Sequence, residues 1–243
     1  MFHDNKEVTL TFTINKHFIT GLVIGALLGV LSTIGYQRFA AQGSAGGTRT
    51  FVTAPTAPPD TGTPAPAAPA QLSISDSDHI RGNKNAPVVM VEFSDLECPF
   101  CGRHHPTMQS IMNKYGDNVA WVYKHYPLSF HPQAMPAALA SECAAEQDKF
   151  WEFTDAVFAE QTRLSEPNFI KEIAQKLKLN ASKFDSCVSS QKYKDKILAQ
   201  QQEGVSNGVD GTPATFINGR LVSGAVPEAN LTQLIDAALA GAK

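Results

Sequence analysis

The stretch APVVMVEFSDLECPFCGRHHP, residues 86–106, runs from a nearly continuous apolar segment into two cysteines set two residues apart, Cys98 and Cys101. Val and Phe dominate the first half, which reads as a buried central strand ending near Ser94. From Cys98 to about Tyr115 a different period takes over, with Met108, Ile111 and Met112 at helix spacing. Cys98 therefore sits where a strand gives way to the N-terminus of a helix. The chain has only four cysteines, so a pair at this junction calls for a chemical reading.

Three chemistries compete for the pair. As a metal site, Cys98 and Cys101 with His104 and His105 supply four donors. All four fall on one short helix, whereas a closed tetrahedral zinc site draws on separated knuckles, and no second CxxC or HxxxH follows. As a purely structural bridge, closing a two-residue gap removes little chain entropy. As a redox pair, the placement is explained. The unpaired N–H groups and partial positive charge of a helix's first turn favour thiolate, and CxxC thiols so placed titrate at roughly 3.5–7.5. Pro99 suits the first turn, where its missing N–H costs nothing, and with Phe100 it forms the dipeptide that tunes the pair. Cys98 is expected as the exposed nucleophile and Cys101, one turn deeper, as the resolving thiol.

Beyond this junction, NVAWVYKHYPL (118–128) reads as a second strand. Residues from about 131 to 207 are helical throughout, including QAMPAALASECAAEQ, KFWEFTDAVFAEQ and EPNFIKEIAQKLKL. Phe130, Phe150, Trp151, Phe153 and Phe158 are expected in the core of that helical block. ATFI and RLVSG then flank Asn218-Gly219, a strong hairpin signal, and PEANLTQLIDAALAG (227–241) closes as an amphipathic helix. This order predicts one α/β core over residues 72–242 with an all-helical insertion at about 131–207.

Residues 18–36, FITGLVIGALLGVLSTIGY, carry no charged side chain. As a helix they span about 28 Å, the thickness of a bilayer's hydrocarbon core. We read them as a transmembrane anchor, with a cleaved signal sequence as the competing reading. Residues 1–17 are then a cytoplasmic tail. Residues 37–71, rich in Pro, Ala, Gly and Thr, form a disordered linker able to reach about 30 Å as a coil and about 90 Å if fully extended. A net charge of −3 without any basic cluster excludes an electrostatic nucleic-acid partner.

VEFSDLECPFCGRHHP (91–106), the distal GTPATFINGR (211–220) and the helical block between them resemble the DsbA-like branch of the thioredoxin-fold disulfide oxidoreductases. The resemblance covers about residues 78–241. It implies a thioredoxin core interrupted by a helical domain that caps the active site, with no cofactor and no metal. It assigns Glu92, six residues before Cys98, as the buried acid that relays protons for Cys101. An acid inside an apolar strand has a raised pKa, which agrees with that role. The resemblance likewise assigns Thr212-Pro213 as a cis-proline loop that packs against the CxxC and pairs with substrate backbone. His104 and His105 are read as solvated or packing side chains, and Glu97 as solvated.

Cys143 and Cys187 both fall in the helical insertion without a neighbour at redox spacing. In an oxidising compartment such leftovers bridge, and two buried free thiols are the alternative. The expected protein is a monomeric, single-pass bacterial membrane protein with its catalytic domain outside the cytoplasm. It introduces disulfides into reduced, unfolded secreted or periplasmic proteins, and a membrane partner re-oxidises it. An isomerase or reductase of the same fold, or a non-catalytic surface binding module, are the rival readings.

Overall fold

The apolar run before the cysteines becomes strand β2 (Val88–Ser94), at the centre of a five-stranded sheet. A computed structural model describes residue 70 and residues 72–241. The expected tail (1–17), anchor (18–36) and, apart from Ala70, linker (37–71) lie outside the described residues. Among those that are described, no helix is long and apolar enough to cross a membrane.

The other strands are β1 (His79–Gly82), β3 (Val119–His125), β4 (Ala214–Ile217) and β5 (Arg220–Ser223), in the sheet order β1-β3-β2-β4-β5. Strand β2 runs parallel to β3, with Val88 opposite Val119 and Ser94 opposite His125, and antiparallel to β4. Both β2 and β3 are almost entirely buried, which explains their largely apolar sequences, broken only by Glu92 and Ser94 in β2 and by Lys124 and His125 in β3. The β4–β5 hairpin turns at Asn218 (φ 45°) and Gly219 (φ 82°), the paired left-handed conformations that a tight two-residue turn demands.

Helix α1 (Pro99–Tyr115) and the C-terminal α7 (Glu228–Gly241) cover one face of the sheet. There Met108, Ile111, Leu231 and Ile235 pack on Val88, Met90, Trp121 and Ile217. Between β3 and β4 the chain forms α2 (Ala134–Ala145), α3 (Phe150–Ala159), α4 (Phe169–Lys176), α5 (Ala181–Ser189) and α6 (Lys194–Ser206). Helix α6 returns to the opposite face, where Gly204 lies so close to Phe93 and Tyr126 that a Cβ would come within 2.9 Å of both rings. The core of the insertion, with Ala140, Phe153, Val157, Phe169, Ile173 and Phe184, is continuous with Leu96, Cys98, Cys101 and Tyr123. The inserted helices thus pack directly on the cysteine turn.

The sequence reading differs from this architecture in two places. Strand β1, HIRG, was not expected. It has no apolar alternation of its own and is held by pairing with β3 and by the side chains of Arg81 and His79. Arg81 reaches Asp155 of α3 at 2.8 Å, and His79 reaches Glu142 of α2 at 3.0 Å. Phe130, expected in the helical core, is 72% exposed on the loop before α2, where the His131 ring meets it edge-on at 4.6 Å.

Candidate active site

Strand β2 delivers the chain to a short loop in which Asp95 makes most of the bonds. Its carbonyl accepts from Cys98 N–H (3.1 Å), and its Oδ1 accepts from Glu97 N–H (2.7 Å). Its Oδ2 accepts from Leu128 N–H (2.9 Å) and pairs with His131 Nδ1 (2.8 Å), which ties the loop after β3 to the cysteine turn. Glu97, read from sequence as solvated, accepts from Gln133 N–H instead, because the entry to α2 lies beside it.

Cys98 occupies the N-cap of α1 with extended backbone (φ −67°, ψ 120°), and Pro99 opens the first turn. The expected exposure of Cys98 is not what folding produces: it keeps 3% of its surface and Cys101 keeps none. Residues distant in sequence cover it. The Thr212 carbonyl lies 3.4 Å from Cys98 Sγ, and the side chain of Gln161 bonds the Cys98 carbonyl. The Thr212-Pro213 bond is cis, as expected. Phe100, by contrast, stands 53% exposed beside the pair, with the Arg103 guanidinium 4.3 Å from its ring.

The two thiols are driven apart electrostatically. A hydrogen bond from Cys101 is the largest influence on Cys98, opposed by burial and reinforced by the Thr212 side chain and the N–H groups of Cys101 and Phe100. Together they bring its pKa down to about 5. For Cys101 burial dominates, and the neighbouring Cys98 and Glu92 charges add to it, so its pKa rises well above the ordinary thiol value. Asp95 N–H points at its sulfur from 3.4 Å. One thiol is thus prepared to leave and attack as an anion, and the other to hold a proton.

Glu92 lies on the same sheet face as α1, in register with Tyr123 on one side and Thr215 on the other. It has no exposure, and neither carboxyl oxygen meets a hydrogen-bond partner. Burial raises its pKa to about 7, with Ser94 and Trp121 pulling weakly the other way. A carboxyl that titrates near neutrality can accept and return a proton at the operating pH.

His104 and His105 are both buried packing residues rather than solvated ones. His104 Nε2 meets Thr215 Oγ1 at 3.3 Å, and burial lowers its pKa to about 4. His105 Nε2 bonds Asp155 Oδ1 at 2.7 Å, and burial outweighs that partner in lowering its pKa. Farther off, Cys143 of α2 and Cys187 of α5 are bridged, with Cα atoms 5.7 Å apart. Sequence reasoning missed Asp95, His131 and Gln161. An Asp shortly before a helix start is a legible turn signal, whereas Gln161 left no local trace.

A family profile described as Thioredoxin matches residues 75–237. Among curated proteins, the chain is 35% identical over 169 residues to Na(+)/H(+) antiporter NhaA 3 of Salinispora tropica, covering 69% of this chain and 26% of that protein. The chain spans about a quarter of the length of the curated relatives it matches. Among solved structures, Wolbachia pipientis alpha-DsbA1 is 26% identical with a TM-score of 0.63, covering 70% of this chain and 95% of that one. BdbD from Bacillus subtilis, in its oxidised form, shares the fold with a TM-score of 0.63 at 22% identity, covering 72% and 99%.

Proposed function

From a chain that belongs to the thioredoxin family, as a DsbA-like member, we propose a thiol–disulfide oxidoreductase that introduces disulfides into reduced, unfolded proteins outside the cytoplasm. The observation that carries this reading is the asymmetry of the pair: Cys98 caps α1, and Cys101 lies fully buried one turn deeper.

In the oxidised enzyme a substrate thiolate attacks Cys98 Sγ. A substrate–Cys98 bond forms, the Cys98–Cys101 bond breaks, and Cys101 leaves with the electron pair. Its high pKa makes it take up a proton at once, and Glu92 is the acid placed to supply one. The substrate's second thiolate then attacks its own bridged sulfur. The substrate disulfide forms and Cys98 departs as a stabilised thiolate, a good leaving group. Two electrons have passed from the substrate dithiol to the enzyme pair, and an oxidising partner must remove them. Thr212 and Pro213, against the sulfur, are placed to receive the substrate backbone.

The Cys143–Cys187 bridge supports an oxidising compartment, and the uncharged run at 18–36 supports a single-pass anchor in a bacterial membrane. A membrane protein able to pass electrons onward is the partner this arrangement needs. The antiport named for the longer relatives is not part of the proposal. The test offers the purified oxidised protein a reduced peptide dithiol. Stoichiometric peptide oxidation is expected, and Cys101→Ala protein preloaded at Cys98 with glutathione should exchange it for a peptide carrying a single thiol, releasing glutathione and leaving a stable mixed disulfide. Reduction of insulin without peptide oxidation would favour the reductase reading.

A further inference from the structure

Gln161 opens the short helical turn Gln161–Arg163 that follows α3 in the inserted helices. Its amide Nε2 donates to two carbonyls at once, Leu96 O and Cys98 O, each at 2.9 Å. These carbonyls flank Glu97, so one side chain spans the last loop residue and the N-cap of α1. Cys98 O also accepts the regular helix bond from Gly102 N–H at 3.0 Å. The turn carrying Gln161 is itself braced, since Arg163 pairs with Glu160, Glu166 and Glu172 at 2.7, 2.9 and 2.7 Å.

A second observation points to the same contact. A Cβ on Gly102 would come 2.3 Å from Gln161 Oε1 and 3.0 Å from its Cδ. The residue directly after Cys101 is therefore bare where the amide lies across the first turn of α1.

We infer that Gln161 is a positioning residue through which the inserted helices fix the N-cap and first turn of α1, and with them the place of Cys98 Sγ at the helix start. Its two bonds hold the N-cap backbone in its extended conformation. Without them the Leu96 and Cys98 carbonyls lose their shared donor, the segment keeps only the Asp95 and Gln133 contacts, and the first turn can shift relative to the sulfur. Hydrogen bonds weaken steeply with misalignment, so a small rotation suffices. The inserted helices then set the chemistry of a thiol they do not carry.

Gln161→Met tests this, because methionine keeps the length and bulk of the side chain and removes both donors. Gly102→Ala tests it from the other side, displacing an intact amide. Each variant is expected to raise the Cys98 midpoint, followed by the ultraviolet absorbance of the thiolate, by about one pH unit. Each should also shift the equilibrium with glutathione about tenfold toward the oxidised protein. The double variant should move no further than the larger single one, since both act through one contact. A folded Gln161→Met protein with a lowered melting temperature but unchanged midpoint and equilibrium would overturn the inference. Should that variant not fold, an unchanged midpoint in Gly102→Ala would do the same. The inference rests on the redox reading of the pair. Failure of the unaltered protein to oxidise a dithiol would sink that reading, while the variant titrations bear on Gln161 alone.

Discussion

Glu92 and Tyr123 stand in register on the parallel strands β2 and β3, both without solvent exposure, and none of their side-chain oxygens meets a hydrogen-bond partner. An unpaired carboxylate in such a place is expensive, which is why burial holds the acid protonated up to about pH 7. The Tyr123 hydroxyl is pushed up as well, by burial first and then by Glu92 and Cys101. The same carboxyl also acts on Cys101, whose pKa its charge helps to raise.

The sign of the resulting pH dependence follows. The folded midpoint of Glu92 is about 7 against an ordinary 4.5, so the folded state keeps a proton that the unfolded chain has lost. The associated stability is fully present below 4.5 and disappears as pH rises through 7. Glu92→Gln should therefore gain on the parent by about 3 kcal/mol between pH 4.5 and 8. Urea denaturation of both reduced proteins across that window measures the gain. A constant difference would mean that Glu92 is ionised throughout.

A second prediction concerns the partner that most lowers the Cys98 pKa. The Cys101 thiol donates to the Cys98 thiolate, so Cys101→Ala should move the Cys98 midpoint upward from about 5. Cys101→Ser keeps a donor and should move it less. Alkylation rates of the reduced protein and both variants between pH 4 and 8 provide the check. Identical midpoints in all three would leave the Thr212 side chain and the first-turn N–H groups as the source of stabilisation.

The Cys143–Cys187 bridge closes 44 residues across the inserted helices and lies in the cluster that also contains Cys98 and Cys101. In the chain-entropy picture a loop of that size contributes about 4 kcal/mol at most. Replacing both cysteines by Ala should cost about 2–4 kcal/mol in urea denaturation. The pH profile of Cys98 alkylation should stay in place, since neither Cys143 nor Cys187 is among the groups that set its midpoint. In the unaltered protein under mild reductant, mass spectrometry should find alkylation at Cys98 and Cys101 only.

What could be read in advance follows from where each contact is encoded. Strand β2, helix α1 and the Asn218-Gly219 turn depend on neighbours within a few positions, so apolar period and turn chemistry revealed them. Strand β1 depends on pairing with β3 and on the contacts of His79 with Glu142 and Arg81 with Asp155, all far away in sequence. The same distance explains the error over Cys98. Its place at a helix start was visible, but its cover comes from Thr212 and from Gln161, 63 residues away. Phe130 shows the opposite failure. Aromatic character suggested a core position, while the Asp95–His131 bond holds that loop at the surface and leaves the ring outside.

The last prediction concerns the direction of electron flow. Reduction yields a Cys98 thiolate with a pKa of about 5 in place of an ordinary 9.0. The folded midpoint is depressed, so its stabilising effect is lost as pH falls through 5 and grows as pH rises above it. At pH 7 the gain to the reduced form is about 3 kcal/mol, equivalent to about 60 mV in a two-electron couple. Oxidation forfeits this and gains only the closure of a very short loop, about 2 kcal/mol in the chain-entropy picture. The reduced protein should therefore be the more stable form at neutral pH, and its advantage should shrink and reverse toward pH 5. Denaturation of both forms at pH 5, 6, 7 and 8, with Cys143–Cys187 kept intact, follows that crossing. If oxidation stabilises the fold by the same few kcal/mol at every pH, Cys98 is not held as an anion. The pair would then run as a reductant, and the oxidase reading would fall while the fold stood.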